Sequence, residues 1–264
     1  MKWTKEAEDV VSRVPFFVRK SVRRRVEEEA VKQESRQVNI EHVRACQKRY
    51  LNNMEEDVAG FQVETCFGPA GCPNRAVDEG IATRVEELLS GKNLRFFLKE
   101  KVKGPLKMHH EFRVSISDCP NACSRPQIAD IGLIGAARPE FSGAPCTGCG
   151  ACVAACRESA IDLKDEGTGP LIDYDKCLAC SKCCKVCSCG TLREGQRGWR
   201  ILIGGKLGRH PRLGRELEGI FLKDKALAVI EKCVDHYMAH NLAGERFGEV
   251  IDRVGIDSVE VKGS

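Results

Sequence analysis

Apolar positions recur with two different periods along this chain, and each period predicts a different element. Val14, Val18, Val22, Val26 and Ala30 return every four residues as one apolar stripe, so residues 1–53 read as helical. Pro15 suits a first helical turn, where its missing amide is no loss. Arg23 with Glu27, Arg24 with Glu28 and Arg25 with Glu29 stand four apart and predict a solvated, ion-paired face. A second helix is expected from Asn39, a good N-cap, through Val43 towards Leu51. Val77, Ile81, Val85 and Leu88 predict another over residues 76–89. The period then shortens. Phe112, Val114 and Ile116 alternate with Arg113, Ser115 and Ser117, a strand that runs into Cys119. Residues 128–134 lead into a further short strand, and residues 199–203 predict one more, followed by a glycine-rich basic loop. Residues 223–240 return to helical spacing. Helices and strands in separate runs make an α+β chain.

Composition narrows the class. With 42% apolar and 30% charged residues the chain reads as a globular protein. No apolar run approaches the ~20 residues that span a bilayer. The N-terminus MKWTKEAEDVV lacks the apolar core of a signal peptide. A cytoplasmic protein with no membrane partner is expected. The net charge of +4 is too mild to imply nucleic acid. In a cytosolic chain, 16 clustered cysteines read as metal ligands rather than disulfides.

Eight of the 16 cysteines fall into two runs of one pattern, Cys146-x-x-Cys149-x-x-Cys152-x-x-x-Cys156 and Cys177-x-x-Cys180-x-x-Cys183-x-x-x-Cys187. This is the spacing of a bacterial-type ferredoxin holding two [4Fe-4S] clusters, in which each fourth cysteine serves the other cluster. Cys146, Cys149, Cys152 and Cys187 are therefore assigned to one cluster, and Cys177, Cys180, Cys183 and Cys156 to the other. One run alone could be a zinc ribbon; two in series point to iron–sulfur. Cys184 and Cys189 lie beside ligands and are alternatives to Cys183 or Cys187. Arg157 and Ser188 follow the fourth cysteines, where proline is usual. Of the other thiols, Cys46 and Cys233 read as small buried hydrophobes. Cys233, His236 and His240 share a helical face that could bind a metal but more simply is a wet face. His109 and His110 read as loop residues before a strand, with a proton donor to a reduced oxyanion as the other reading.

Four more cysteines form a third constellation, Cys66-x5-Cys72 in ETCFGPAGCPNRA and Cys119-x3-Cys123 in ISDCPNACSRPQIADIGLIG. These segments resemble the cysteine motifs of the sirohaem-dependent sulfite and nitrite reductases. The resemblance covers about residues 60–264 and includes the basic loop ILIGGKLGRHPR. It implies that Cys66, Cys72, Cys119 and Cys123 hold a third [4Fe-4S] cluster and that Cys123 bridges it to sirohaem. The ferredoxin segment inserted between two strands is similar to that of the dissimilatory-type members, which favours sulfite over nitrite as substrate. Residues 1–53 resemble the small helical module of light-independent protochlorophyllide reductase, carried by Trp3, VPFFVR and VEEEA.

The implied architecture is an α+β sirohaem/[4Fe-4S] half-domain over 56–140 and 191–264, an inserted ferredoxin-like domain over 141–190 and a helical module over 1–55. The carboxylates of sirohaem and a small inorganic anion need basic partners. Arg113, Lys206 and Arg209 are candidates at the anion, and Arg125, Arg209, His210, Arg212 and Arg215 at the tetrapyrrole. Electrons would enter from a donor protein through the ferredoxin-like clusters. The full-length reductases contain two related halves, and this chain has room for one. A sirohaem pocket would then need closure by a second copy, a different subunit of a redox complex or the N-terminal helices. The competing reading is an electron-transfer subunit with three clusters and no sirohaem.

Overall fold

The computed structural model describes residues 1–77, 80–163 and 169–256, without the side chains at 17 and 51–54. The chain divides into two compact units, 1–59 with 104–109 and 60–103 with the chain from 110 onward. No described helix is long and apolar enough to cross a membrane.

The first unit runs β1 (Lys2–Trp3), α1 (Lys5–Ser12), α2 (Phe16–Lys32), β2 (Gln37–Val38) and α3 (Ile40–Glu56). Asn39 caps α3 as expected, its Oδ1 accepting from the amides of Glu41 at 3.1 Å and His42 at 3.2 Å. The apolar stripe holds only over its second half. Val26 and Ala30 enter a core with Ala7, Val11, Val38 and Val43, whereas Val14 lies in the turn before α2 and Val18 is exposed. Three helices share this core, so each turns its own apolar face to a common centre instead of one stripe running the whole length. The expected ion pairs are largely redirected. Arg24 pairs with Glu28 at 3.5 Å. Arg23 instead stacks on Trp3 at 4.3 Å and reaches Glu8 at 3.3 Å. Glu29 is buried and pairs with Arg49, since a carboxylate out of water needs a held partner.

The second unit is built on a sheet of β3 (Phe61–Thr65), β4 (Phe112–Ser117), β5 (Ile131–Phe141), β8 (Leu192–Ile203) and β9 (Arg215–Glu216), in that spatial order among the described residues. β3, β4 and β5 are parallel; β8 and β9 join antiparallel. A parallel pair needs a long crossover, and α4 (Ile81–Gly91) and α5 (Leu94–Lys101) supply it between β3 and β4. The helix expected over 76–89 begins at Ile81 instead. Ala76 and Val77 stay in the loop because their amides donate to the Asp118 carbonyl at 2.8 and 3.3 Å. Residues 78–79 lie outside the described residues.

β5 and β8 are both longer than the sequence pattern predicts and pair along their length, with a bulge between Ala137 and Pro139. Between them, residues 142–191 carry α6 (Ala151–Ala155), the hairpin β6 (Ile161–Asp162) and β7 (Leu171–Ile172), and α7 (Lys182–Val186). After β9 come α8 (Lys223–His240), as expected, and α9 (Phe247–Val254). Phe112 of β4, Tyr237 of α8 and Phe247 of α9 meet with ring centroids 5.1 to 6.1 Å apart, fixing both helices to the sheet.

Gly135 of β5 marks where the sheet meets the Cys119 loop. A Cβ there would sit 2.4 Å from the Asp118 carbonyl oxygen. Gly91 is the control, since a Cβ there meets nothing within 4 Å. Gly135→Ala should lower unfolding stability by roughly 1–3 kcal/mol, and Gly91→Ala should leave it unchanged or raise it by up to ~1 kcal/mol. Urea midpoints of the two variants check this, and equal midpoints would contradict the close packing.

Candidate metal centre

Three sets of cysteines converge in the second unit. The first forms at the sheet edge. Parallel pairing sets Thr65 opposite Ile116, so β3 and β4 end side by side. Cys66 follows β3 at once, its amide donating to the Ile116 carbonyl at 3.0 Å. Its Sγ accepts from the amides of Gly68 at 3.2 Å and Asp118 at 3.3 Å. Burial pushes the Cys119 thiol up, an amide contact from Asn121 opposes this, and Cys123, Cys66 and Cys72 raise it further as thiolate neighbours. The other three members of this sheet-edge set are thus within electrostatic reach of Cys119. Cys119 is buried and Cys123 is exposed, so the set faces both inward and outward.

A serine network that the strand alternation does not announce holds the second half of this set. Ser115 and Ser117 stand at the polar positions of β4 yet are buried. Ser115 donates to the Ser124 carbonyl at 2.6 Å, and the Ser117 and Ser124 hydroxyls lie 2.7 Å apart. The Ser124 amide donates to Ser117 Oγ at 3.1 Å and its hydroxyl to the Ile116 carbonyl at 2.8 Å. The loop after Cys119 is folded back on its own strand, and Cys123 is fixed one residue from the network. Ala122 and Arg125 adopt left-handed backbone angles here, φ 52° and 61°, a local strain of roughly 1–2 kcal/mol each that the network must offset.

The other two sets lie in the segment between β5 and β8 and repeat one local design. α6 carries Cys152 and ends at Cys156; α7 carries Cys183 and ends at Cys187. The residue before each helix is left-handed, Gly150 at φ 72° and Ser181 at φ 57°. Cys146 and Cys177 each accept from the amide two residues on, at 3.4 Å, as Cys66 does at 3.2 Å. The spacing expects the fourth cysteines to be exchanged between the two sets. Burial raises the Cys152 thiol, with Cys146 and Cys187 among its charged neighbours. Burial also raises Cys177, whose neighbours are Cys183, Cys180 and Cys156. Cys149 is exposed on the same loop as Cys146. Cys184 lies 4.0 Å from Cys183, and Cys189 lies 3.7 Å from Cys187, measured between sulfurs. Both additional thiols therefore stand beside a cysteine of the two runs.

Burial first, and neighbouring sulfurs after it, hold the Cys119, Cys152 and Cys177 thiols above their ordinary value. A cationic iron–sulfur core removes that penalty, because coordination deprotonates a thiol outright. Amides aimed at sulfur suit the same occupant, since hydrogen bonds to cluster sulfurs tune its potential. Among the described residues, no three His, Cys, Asp or Glu groups close on a site for a single metal ion. The donor chemistry of all three sets fits [4Fe-4S] clusters. A cavity of about 90 Å³ joins two of the sets, with Asn74, Cys119 and Asn121 on one wall and Cys156, Cys177 and Cys183 on the other.

The basic candidates divide. Arg113 and Arg125 line one recess of about 70 Å³ with Glu64, Ser124 and Leu207, and Ser124 directly follows Cys123 in the chain. Arg125 also stands 3.9 Å from Glu64. Arg209, His210 and Arg215 are exposed. Lys206 and Arg212 turn to α9. Lys206 donates to Glu249 at 2.6 Å, and Arg212 pairs with Asp252 and donates to the Gly204 and Gly248 carbonyls. Their backbones close the loop, each amide donating to the other's carbonyl at 3.0 Å. Elsewhere, Cys233 is fully buried and apolar in its surroundings, and His236 and His240 stack on one another at 4.4 Å.

A family model described as the nitrite and sulphite reductase 4Fe-4S domain matches residues 61–261, and one described as the proto-chlorophyllide reductase 57 kD subunit matches residues 3–47. The chain is 34% identical over 152 residues to the coenzyme F420-dependent sulfite reductase of Methanocaldococcus jannaschii, a match covering 55% of this chain and 23% of that protein. It is 30% identical over 185 residues to a subunit of the anaerobic sulfite reductase of Salmonella typhimurium, covering 67% of this chain and 53% of the relative. An uncharacterized protein of Methanocaldococcus jannaschii is 26% identical over 233 residues, 84% of this chain and 74% of that protein. The chain thus spans only part of the first two relatives.

The Lys206–Glu249 pair makes a pH prediction. The hydrogen bond from Lys206 holds the Glu249 carboxyl below its ordinary value, although burial opposes it. A depressed carboxylate contributes stability that is fully present above the unfolded value of ~4.3 and is lost as pH falls through the lower folded value. Lys206→Met should therefore cost roughly 0.5–1 kcal/mol at neutral pH, discounted because Glu249 is partly solvated. The difference from the parent should vanish on acidification. Thermal unfolding across a pH series reads it; a pH-independent difference would show that packing, not the pair, was lost.

Proposed function

Because this chain belongs to the nitrite and sulphite reductase 4Fe-4S domain family, we propose that it is the iron–sulfur half of a sulfite-reducing oxidoreductase. Three [4Fe-4S] clusters would be held by the three cysteine sets, and sirohaem would lie against the outward-facing Cys123. The observation that carries this reading is the convergence of Cys66, Cys72 and Cys123 on Cys119 at the edge of a parallel strand pair. Likeness to the two sulfite reductases supports the substrate class.

The residues would divide the work as follows. Cys66, Cys72, Cys119 and Cys123 bind the sheet-edge cluster, with Cys119 on the buried side and Cys123 offered to a neighbour. Arg113 and Arg125 supply positive charge at the recess that Ser124, the residue after Cys123, also lines, where they would hold an anion or a tetrapyrrole carboxylate. Arg209 and His210 are exposed on the stretch of chain between β8 and β9. Lys206 and Arg212 are positioning residues that brace this loop against α9. When bound, sirohaem would supply the iron at which a small anion is held for reduction. The segment from 142 to 191 would be a two-cluster ferredoxin-like insert on which an electron donor docks, and residues 1–55 a separate helical module.

A recess of about 70 Å³ is far below the ~300–1,000 Å³ of sites that enclose a ligand of that size. The tetrapyrrole would therefore rest on an open face, closed by a second copy or another subunit of a redox complex. The same smallness favours, as the second reading, an electron-transfer subunit that binds no sirohaem.

Iron, acid-labile sulfide and the visible spectrum of anaerobically purified protein separate these readings. Three clusters predict about 12 iron atoms per chain, and about one more with sirohaem. Sharp bands towards the red, lost in Cys123→Ser while the broad cluster absorption persists, are the expected outcome for the reductase half. Broad absorption alone, in the presence of the other subunits, would leave the electron-transfer subunit. Iron near eight would remove the third cluster, and zinc would remove the whole reading.

A further inference from the structure

Lys185 belongs to no cysteine set, yet it reaches between two of them. It sits on α7 between Cys183 and Cys187, which serve different insert sets. Its ammonium crosses to the sheet-edge loop and donates to the Arg75 carbonyl at 2.9 Å and the Pro73 carbonyl at 3.4 Å. Pro73 directly follows Cys72. Asn74, between the two gripped carbonyls, lines the same cavity as Cys119, Cys156, Cys177, Cys180 and Cys183. The same loop is held from its other end, where Ala76 and Val77 donate to the Asp118 carbonyl and Arg197 donates to the Ala76 carbonyl at 3.1 Å. The insert has further ties to the sheet, the Ala137 amide to the Ala179 carbonyl at 2.7 Å and the Tyr174 hydroxyl to the Pro139 carbonyl at 3.0 Å. Those ties fix the insert to β5. Lys185 instead reaches the loop that carries a sheet-edge ligand.

We propose that Lys185 is a positioning residue that sets the separation between the sheet-edge cysteine set and the second insert set by clamping the loop after Cys72 to α7. The proposal rests on the cluster reading above. Its physical content is simple. Electron tunnelling and magnetic coupling between metal clusters both fall steeply with distance, so a side chain that fixes the gap fixes the rate. One ammonium hydrogen-bonded to two carbonyls ties the loop to α7 at two points, and the flexible lysine stem lets one side chain serve both acceptors.

The test uses the full chain, purified without oxygen. Lys185→Met keeps the stem and removes the donor; Lys185→Arg keeps a cation that can donate to both carbonyls. Iron content is measured first. Low-temperature electron paramagnetic resonance of the dithionite-reduced protein then reads the splitting that neighbouring reduced clusters impose on one another. Rapid mixing with a reduced donor dye reads how quickly the sheet-edge cluster follows the insert clusters. Lys185→Met is expected to retain full iron, lose most of the inter-cluster splitting and slow the last cluster's reduction several-fold, with Lys185→Arg restoring both. Unchanged splitting and rate at full iron would overturn the proposal. So would selective loss of sheet-edge iron in Lys185→Met, which would make Lys185 a structural support for ligand binding. Parent protein without iron, or without reduced-cluster resonances, would instead overturn the cluster reading, and that failure is visible before any variant is made.

Discussion

Parallel pairing of β3 with β4 brings two strand ends to one edge of the sheet, and the sheet-edge cysteines are what those ends carry. An antiparallel pair would put Cys66 and Cys119 at opposite edges. A slip of one residue would turn each side chain to the other face and uncouple the Cys66 amide from the Ile116 carbonyl. The register is held by the long crossover, whose buried Leu89, Leu94 and Leu98 anchor α4 and α5, and by the ring contacts of Phe112 with α8 and α9. Packing remote from the metal centre is thus what brings its ligands together.

Charge is distributed by the same logic. The loop from 204 to 212 is rich in cations, yet its two best-held ones face α9 and neutralise Glu249 and Asp252. A basic stretch read along the sequence is therefore divided in space between bracing the fold and facing solvent. Arg113 and Arg125, on a strand and on the loop that follows it, end on one recess because that loop folds back on β4 through Ser124.

How much was legible in the sequence follows from the range of each interaction. Cysteine spacing is local chemistry, and the repeat of one design around α6 and α7 could be read from it. Strand β4 and helix α8 were legible because their periods are clean. The four-residue stripe from Val14 misled because its second half packs against α1 and residues 38–43, which no local period encodes. Ala76 and Val77 look helical by spacing, but the Asp118 carbonyl claims their amides. The buried serines of β4 escaped notice for a similar reason: an alternating polar face reads as wet until a loop covers it.

Among the described residues the insert's buried interior is small and rich in cysteine. Its buried cluster is Cys152, Ile161, Cys183 and Leu192, with Cys156, Cys184 and Cys187 packed around it. A segment this short seldom folds without a metal or a cross-link, and coordination free energy then becomes folding free energy. Leu192 is also the first residue of β8, and its amide donates to the Cys187 sulfur at 3.3 Å. The metal site and the sheet therefore share a residue. With iron bound as proposed, oxygen becomes a denaturant for this chain: stripping a cluster hollows the insert and loosens the end of the hairpin that carries it. Iron supply during synthesis then decides whether the polypeptide matures or is left to proteases.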